Sequence, residues 1–261
     1  MQKNLWIDKR EYPFKSNFIK LPMGNMHYID EGKGEPIVMV HGNPTWSFLY
    51  RYLIKGLSNE YRCIAMDHIG FGLSDKPLDW TYLPEQHSDN FRKLIEGLKL
   101  KNITLIVQDW GGPIGLSYAV NNPKNVKALV IINTWMWSVK GDKHYENFSK
   151  FIGGSLGKFL IKRFNFFVKV IMKQATVNKS RLNKSVMYHY IKPLEKPEYR
   201  KGNWIFPKQI IGSSDWLDTL WKKRDNIKEI PTLILWGMKD IAFREKELRK
   251  FEELFSNKKV V

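Results

Sequence analysis

The chain is short of cysteine and of acidic residues. Cys63 is its one cysteine among 261 residues. It admits no internal disulfide, and its place in an apolar run marks it as a small buried residue, so a cytoplasmic protein is expected. No Cys/His spacing suits a metal, and no Walker loop or dinucleotide fingerprint is present, so neither metal nor cofactor is implied. Gly70-Phe71-Gly72 is too short for that fingerprint and reads as a turn after a strand. No apolar run approaches membrane-spanning length, the first ten residues carry no signal core, and there is no internal repeat or low-complexity linker. Lys and Arg number 43 against 26 Asp and Glu, a net charge of +17. Hydrophobic residues make up 43%, which excludes a disordered chain and suits one sizeable core.

What is present is a set of short apolar runs that end in Gly-rich turns and lead into helical segments. Strands are expected near residues 17–30 and at 36–40, 62–66, 103–107, 128–132 and 232–236. Helices are expected at 46–57, 84–98, 114–121, 214–225 and 245–255. Residues 137–213 lack strand signals and read as helices. Alternating strands and helices predict a mostly parallel sheet covered on both faces.

The sequence Leu105-Ile106-Val107-Gln108-Asp109-Trp110-Gly111-Gly112-Pro113 reads as a strand, a sharp turn made by the glycines, and a helix start. That is the elbow of the α/β-hydrolase fold, with Asp109 at the apex where Ser is usual. Asp109 alone could equally cap the helix; two further segments decide for a nucleophile. After the strand Val38-Met39-Val40, the loop His41-Gly42-Asn43-Pro44-Thr45-Trp46 offers the backbone N–H of Asn43, as Trp110 does after the elbow, for an oxyanion hole. The side-chain N–H groups of Asn43 and Trp110 are also donors fit for a departing halide ion. After the strand Leu233-Ile234-Leu235, Asp240 falls at the carboxyl end of the sheet, the place of the acid that orients a His. A carboxylate nucleophile gives an ester on the enzyme's own side chain, which suits attack on an alkyl carbon or a strained ring.

These segments, with Asp67-His68-Ile69-Gly70-Phe71-Gly72-Leu73-Ser74-Asp75-Lys76-Pro77 and Trp204-Ile205-Phe206-Pro207, resemble the haloalkane dehalogenases of the α/β-hydrolase superfamily over nearly the whole chain. The match is to the branch with a late Asp acid and an Asn–Trp halide site, because Asn133 stands where another branch has its acid. The resemblance implies hydrolytic dehalogenation through an Asp109 alkyl-enzyme ester, with a small apolar halogenated substrate, a halide product, and Phe206 and Pro207 in the pocket wall. It implies a core of residues 1–136 and 214–261 and an inserted helical cap of 137–213. β-Lactone decarboxylases of olefin biosynthesis share the same motifs, so that reaction stays open.

The family's His is absent. His27 lies in an early strand, His41 in the oxyanion loop, His68 after a strand before the nucleophile, His87 on a surface-type helix, and His144 and His189 in the cap. The family's His follows the last strand by a few residues, and here that strand only begins at Lys259-Val260-Val261. The expectation is a chain broken off before the His, with the last strand incomplete. A truncated hydrolase that only binds or is alkylated is the third reading.

Eleven Lys/Arg and two acids fall between Lys140 and Lys184. Residues 159–173 mix basic and apolar side chains at roughly helical spacing, as a membrane-surface helix does. The reading preferred from sequence is a cap helix with apolar residues toward the tunnel and Lys toward solvent, with no firm membrane association and no nucleic acid.

Overall fold

The computed structural model describes residues 6–261. In chain order these form β1 (Asn17–Leu21), β2 (Gly24–Glu31), β3 (Pro36–Val40), α1 (Arg51–Leu57), β4 (Arg62–Met66), α2 (Pro84–Gly97), β5 (Ile103–Asp109), α3 (Gly111–Asn121) and β6 (Val126–Thr134). Helices α4 (Lys143–Ile152), α5 (Ser155–Phe164), α6 (Met172–Ala175), α7 (Lys184–Ile191) and α8 (Lys201–Gly212) follow without a strand. The chain then returns through α9 (Ser214–Lys222), β7 (Thr232–Leu235), α10 (Glu245–Leu254) and β8 (Lys258–Val260).

The strands form one sheet in the order β1-β2-β4-β3-β5-β6-β7-β8. β1 and β2 pair antiparallel, as do β2 and β4, and the neighbours from β4 onward run parallel. Alternation explains why both faces are covered. In β3, Val38 and Val40 join Phe91, Leu94 and Ile114 on one side, while Ile37 and Met39 join Trp46, Ile54 and Cys63 on the other. The α/β-hydrolase arrangement expected from sequence is thus present, and no described helix is long and apolar enough to cross a membrane.

Two local expectations change. Helix α3 begins at Gly111, three residues before the sequence signal, because Asp109 itself takes the turn with φ +51°. The glycines serve close approach instead: a Cβ on Gly111 would lie 2.0 Å from the Val40 carbonyl oxygen. His87 is not on a surface. It is fully buried on the inner side of α2, its ring 4.7 Å from Trp80 and 4.9 Å from Phe206.

The all-helical segment follows the expectation only in part: Phe167, Ile171 and Met172 point into the large cavity at the sheet edge, but other apolar residues do not. Ile161, Phe167 and Val168 are buried, but Leu156, Phe159 and Phe164 face solvent alongside the basic residues. Helix α5 packs on α4 and α8 through a narrow side bearing Gly157 and Ile161, which leaves its remaining apolar residues outside.

Leu105 is fully buried in β5, between β3 and β6. Leu105→Ala is expected to cost about 2–5 kcal/mol, read as a lowered denaturant midpoint. A change within ~0.5 kcal/mol would mean that this part of the core is not packed as described.

Candidate active site

Three strand ends converge. The loop after β3 brings Asn43, the end of β5 brings Asp109 and Trp110, and the loop after β7 brings Asp240. All four line one cavity of about 610 Å³. The convergence follows from parallel strands in register, since Val40 stands beside Val107 and Ile132 beside Leu235. Their carboxyl ends therefore share one edge of the sheet.

Asp109 is held from several sides. The Asn43 backbone N–H donates to its Oδ1 at 2.6 Å, and the Trp110 backbone N–H favours the charged form of the same carboxyl. The Thr134 hydroxyl donates to its main-chain carbonyl at 2.5 Å, which ties the elbow to the end of β6. Gly42 has to be glycine for this contact, since a Cβ there would sit 2.1 Å from Asp109 Oδ1. Burial pushes the Asp109 carboxyl up to about 7, against the two N–H donors, and the Asp240 carboxylate adds to the rise.

Trp110 is buried, stacked on Phe206 at 5.2 Å and edge-on to Trp135 at 4.7 Å. The Asn43 side-chain N–H reaches only the Asn203 carbonyl, at 3.5 Å, and is available to a ligand. Pro207 lines the cavity, whereas Phe206 does not: it is fully buried behind Trp110 and fixes that indole from the back. Trp135, Phe148, Tyr190 and Phe243 also line the cavity and were not singled out from sequence. Trp135 and Phe243 had a signal, being one residue past the end of β6 and three past Asp240; Phe148 and Tyr190, in the all-helical segment, had none, since packing alone brings them in.

Asp240 sits in a turn. Its Oδ1 accepts from the backbone N–H groups of Ala242 (2.7 Å) and Phe243 (3.1 Å). Burial raises its pKa, and those two donors hold the rise back. Asn133 braces the same loop, with Oδ1 accepting from Gly237 N–H at 2.8 Å and Nδ2 donating to Gly237 O at 3.1 Å.

The histidines separate cleanly. His27 Nδ1 lies 2.8 Å from Asp67 Oδ2, deep in the core. His41 accepts from His68 N–H through Nε2 and so donates from Nδ1 to Gly42 O. Burial lowers His41 to about 4 and His87 to about 3, so both are neutral. His189 has both ring nitrogens engaged, by Asp8 N–H and by Ser185 O, and stacks on Phe48 at 4.5 Å. Among the described residues, His144 is the one His that lines the cavity, and it is exposed.

Residues 35–261 match the family described as the alpha/beta hydrolase fold. The chain belongs to that family. Haloalkane dehalogenase 2 of Mycobacterium tuberculosis is 37% identical to this hydrolase over 242 residues, 92% of this chain and 84% of the relative. The cis-3-alkyl-4-alkyloxetan-2-one decarboxylase of Shewanella oneidensis is 36% identical, covering 92% and 78%. Among solved structures, the haloalkane dehalogenase DatA of Agrobacterium tumefaciens superposes with a TM-score of 0.85 over 97% of this chain and 90% of its own, at 23% identity. That last likeness is one of fold.

The raised Asp109 pKa has a stability consequence. Its folded value, about 7, exceeds the ordinary 3.8, so the fold is penalised as pH rises from about 4 through 7. Asp109→Asn is expected to melt about 2–8 °C above the wild type at pH 8, with the gap closing toward pH 4. A gap independent of pH would place the cost elsewhere than in the buried charge.

Proposed function

We propose that this hydrolase is a haloalkane dehalogenase with Asp109 as its nucleophile. The observation that carries the reading is a carboxylate at the elbow, held by the Asn43 backbone N–H, beside two side-chain N–H donors in a largely apolar cavity. Asn43 N–H holds Oδ1, so Oδ2 is the oxygen free to attack. It forms a C–O bond as the C–X bond breaks, and the halide leaves toward Trp110 Nε1 and the Asn43 carboxamide. Holding nucleophile and carbon in line replaces a bimolecular encounter. The apolar surroundings strengthen both donors toward an anion. In the following hydrolysis, water attacks the ester carbonyl carbon, and Oδ1, already on Asn43 N–H, becomes the oxyanion. Asp240 is the acid that would orient a base. A cytoplasmic location, read from the single buried Cys63, belongs with this reading.

The hydrolytic step needs a base, and no described His is hydrogen-bonded to Asp240. Loss of a general base costs about 10²–10⁴-fold. Hydrolysis of the alkyl-enzyme ester, not its formation, is therefore the step that depends on this base. A second reading, opening of a cis-3-alkyl-4-alkyloxetan-2-one, is favoured by the 36% identity to the decarboxylase and uses the same nucleophile.

Mass spectrometry after treatment with a 1-bromoalkane is expected to show one alkyl adduct on the Asp109 peptide, with one equivalent of bromide released. Asp109→Ala should give neither, and an adduct in that variant would remove Asp109 as nucleophile. Sustained bromide release that disappears in His144→Ala would instead assign the base to His144. Loss of carbon dioxide from an oxetan-2-one, with no adduct from the bromoalkane, would select the second reading.

The alkylation rate should also follow the carboxylate. Only ionised Asp109 attacks, so the rate climbs about tenfold per pH unit below 7 and levels above it. A flat profile from pH 5 to 9 would contradict a nucleophile that titrates near neutrality.

A further inference from the structure

The outward apolar residues of the helical segment form a patch. Phe151 is 51% exposed, Leu156 56%, Phe159 57% and Phe164 52%. Phe151 and Leu156 line one shallow groove with Lys150, between the end of α4 and the start of α5. Leu156 and Phe159 are three residues apart on α5 and share a face. Phe159 and Phe164 rings lie 6.0 Å apart. Such a patch on a soluble chain marks an interaction surface.

The charge along this stretch of the chain has one sign. Between residues 147 and 194 there are ten Lys/Arg and no Asp or Glu. Lys150, Lys162 and Arg163 flank the patch and are exposed, and none is in an ion pair among the described residues. Along α5 the outer face runs Leu156, Phe159, Arg163 with Lys162 beside it, while Gly157 and Ile161 are buried on the opposite side. Apolar side chains set between unpaired cations fit a bilayer surface, where the former enter the acyl boundary and the latter meet headgroups.

We propose that the outer face of α5, with the end of α4, docks this protein on a lipid surface bearing anionic headgroups. Charge complementarity selects this occupant. A second copy docked through the same face would set Lys150, Lys162 and Arg163 against like charges. Nucleic acid would satisfy the cations but leave Phe151 and Leu156 without an apolar partner.

The test is co-sedimentation of the full chain with vesicles of phosphatidylcholine alone and of phosphatidylcholine mixed with phosphatidylglycerol. The wild type is expected to sediment with the mixed vesicles only, and to be released by high salt. Leu156→Ser/Phe159→Ser should weaken this by about tenfold or more. Lys150→Gln/Lys162→Gln/Arg163→Gln should weaken it by about a hundredfold, at about 1 kcal/mol per charge. Both variants should keep the wild-type circular dichroism spectrum, melting temperature and Asp109 alkylation rate, so that loss of binding is not loss of fold. No binding to the mixed vesicles, or binding unchanged in the serine variant, overturns the proposal. So does a chain that ignores vesicles but retards duplex DNA, or one whose dimer, by light scattering, dissociates in the serine variant.

Discussion

The short hydrogen bond from Asn43 N–H to Asp109 is the contact on which the site depends. It joins the loop after β3 to the elbow after β5 and requires that Gly42 carry no side chain. The bond sets which carboxylate oxygen is held and which is free. It also tempers the cost of placing an acid in an apolar cavity, a cost still visible in a pKa near 7. A carboxylate attacks better when poorly solvated, and the same desolvation makes it reluctant to ionise. The two backbone donors and the raised pKa are two sides of one compromise.

Around that contact lies a buried polar frame that does no chemistry of its own. Asp67 accepts from Ser47 N–H at 2.7 Å and from Leu73 N–H at 2.8 Å, and meets His27. Burial opposes its charge, but His27 and the backbone donors outweigh burial and hold its pKa below the usual carboxylate range. His68 donates through Nε2 to His41 O at 2.8 Å. These bonds fix the loop after β4 against the loop after β3. They explain why most of the histidines are occupied in structure: a ring with both nitrogens engaged, or one buried neutral among aromatics, cannot shuttle protons.

Asn133 links the two halves of the sheet edge in a similar way. Its amide clasps both backbone groups of Gly237 and steadies the turn that carries Asp240. The side chain thus braces, from the end of β6, an acid that comes from the end of β7. An amide suits residue 133, because it both gives and accepts here.

Much of this was legible in the residues themselves. Runs such as Val38-Met39-Val40 and Leu105-Ile106-Val107 state their strands, and parallel order then brings Asn43, Asp109, Trp110 and Asp240 to one edge. Each of those signals is local, a backbone pattern within about ten residues. What tertiary structure alone decided depends on contacts between distant segments. His87 looked superficial until Trp80, from the loop before α2, and Phe206, from α8, closed over it, and Phe206 proved to back Trp110 instead of lining the cavity. The turn at the elbow fell to Asp109 while the glycines admitted close packing. The direction of α5 followed from its neighbours: once Gly157 and Ile161 faced α4 and α8, Phe159 and Leu156 could only face out. A helix's apolar pattern names its faces, but only packing decides which of them meets the core.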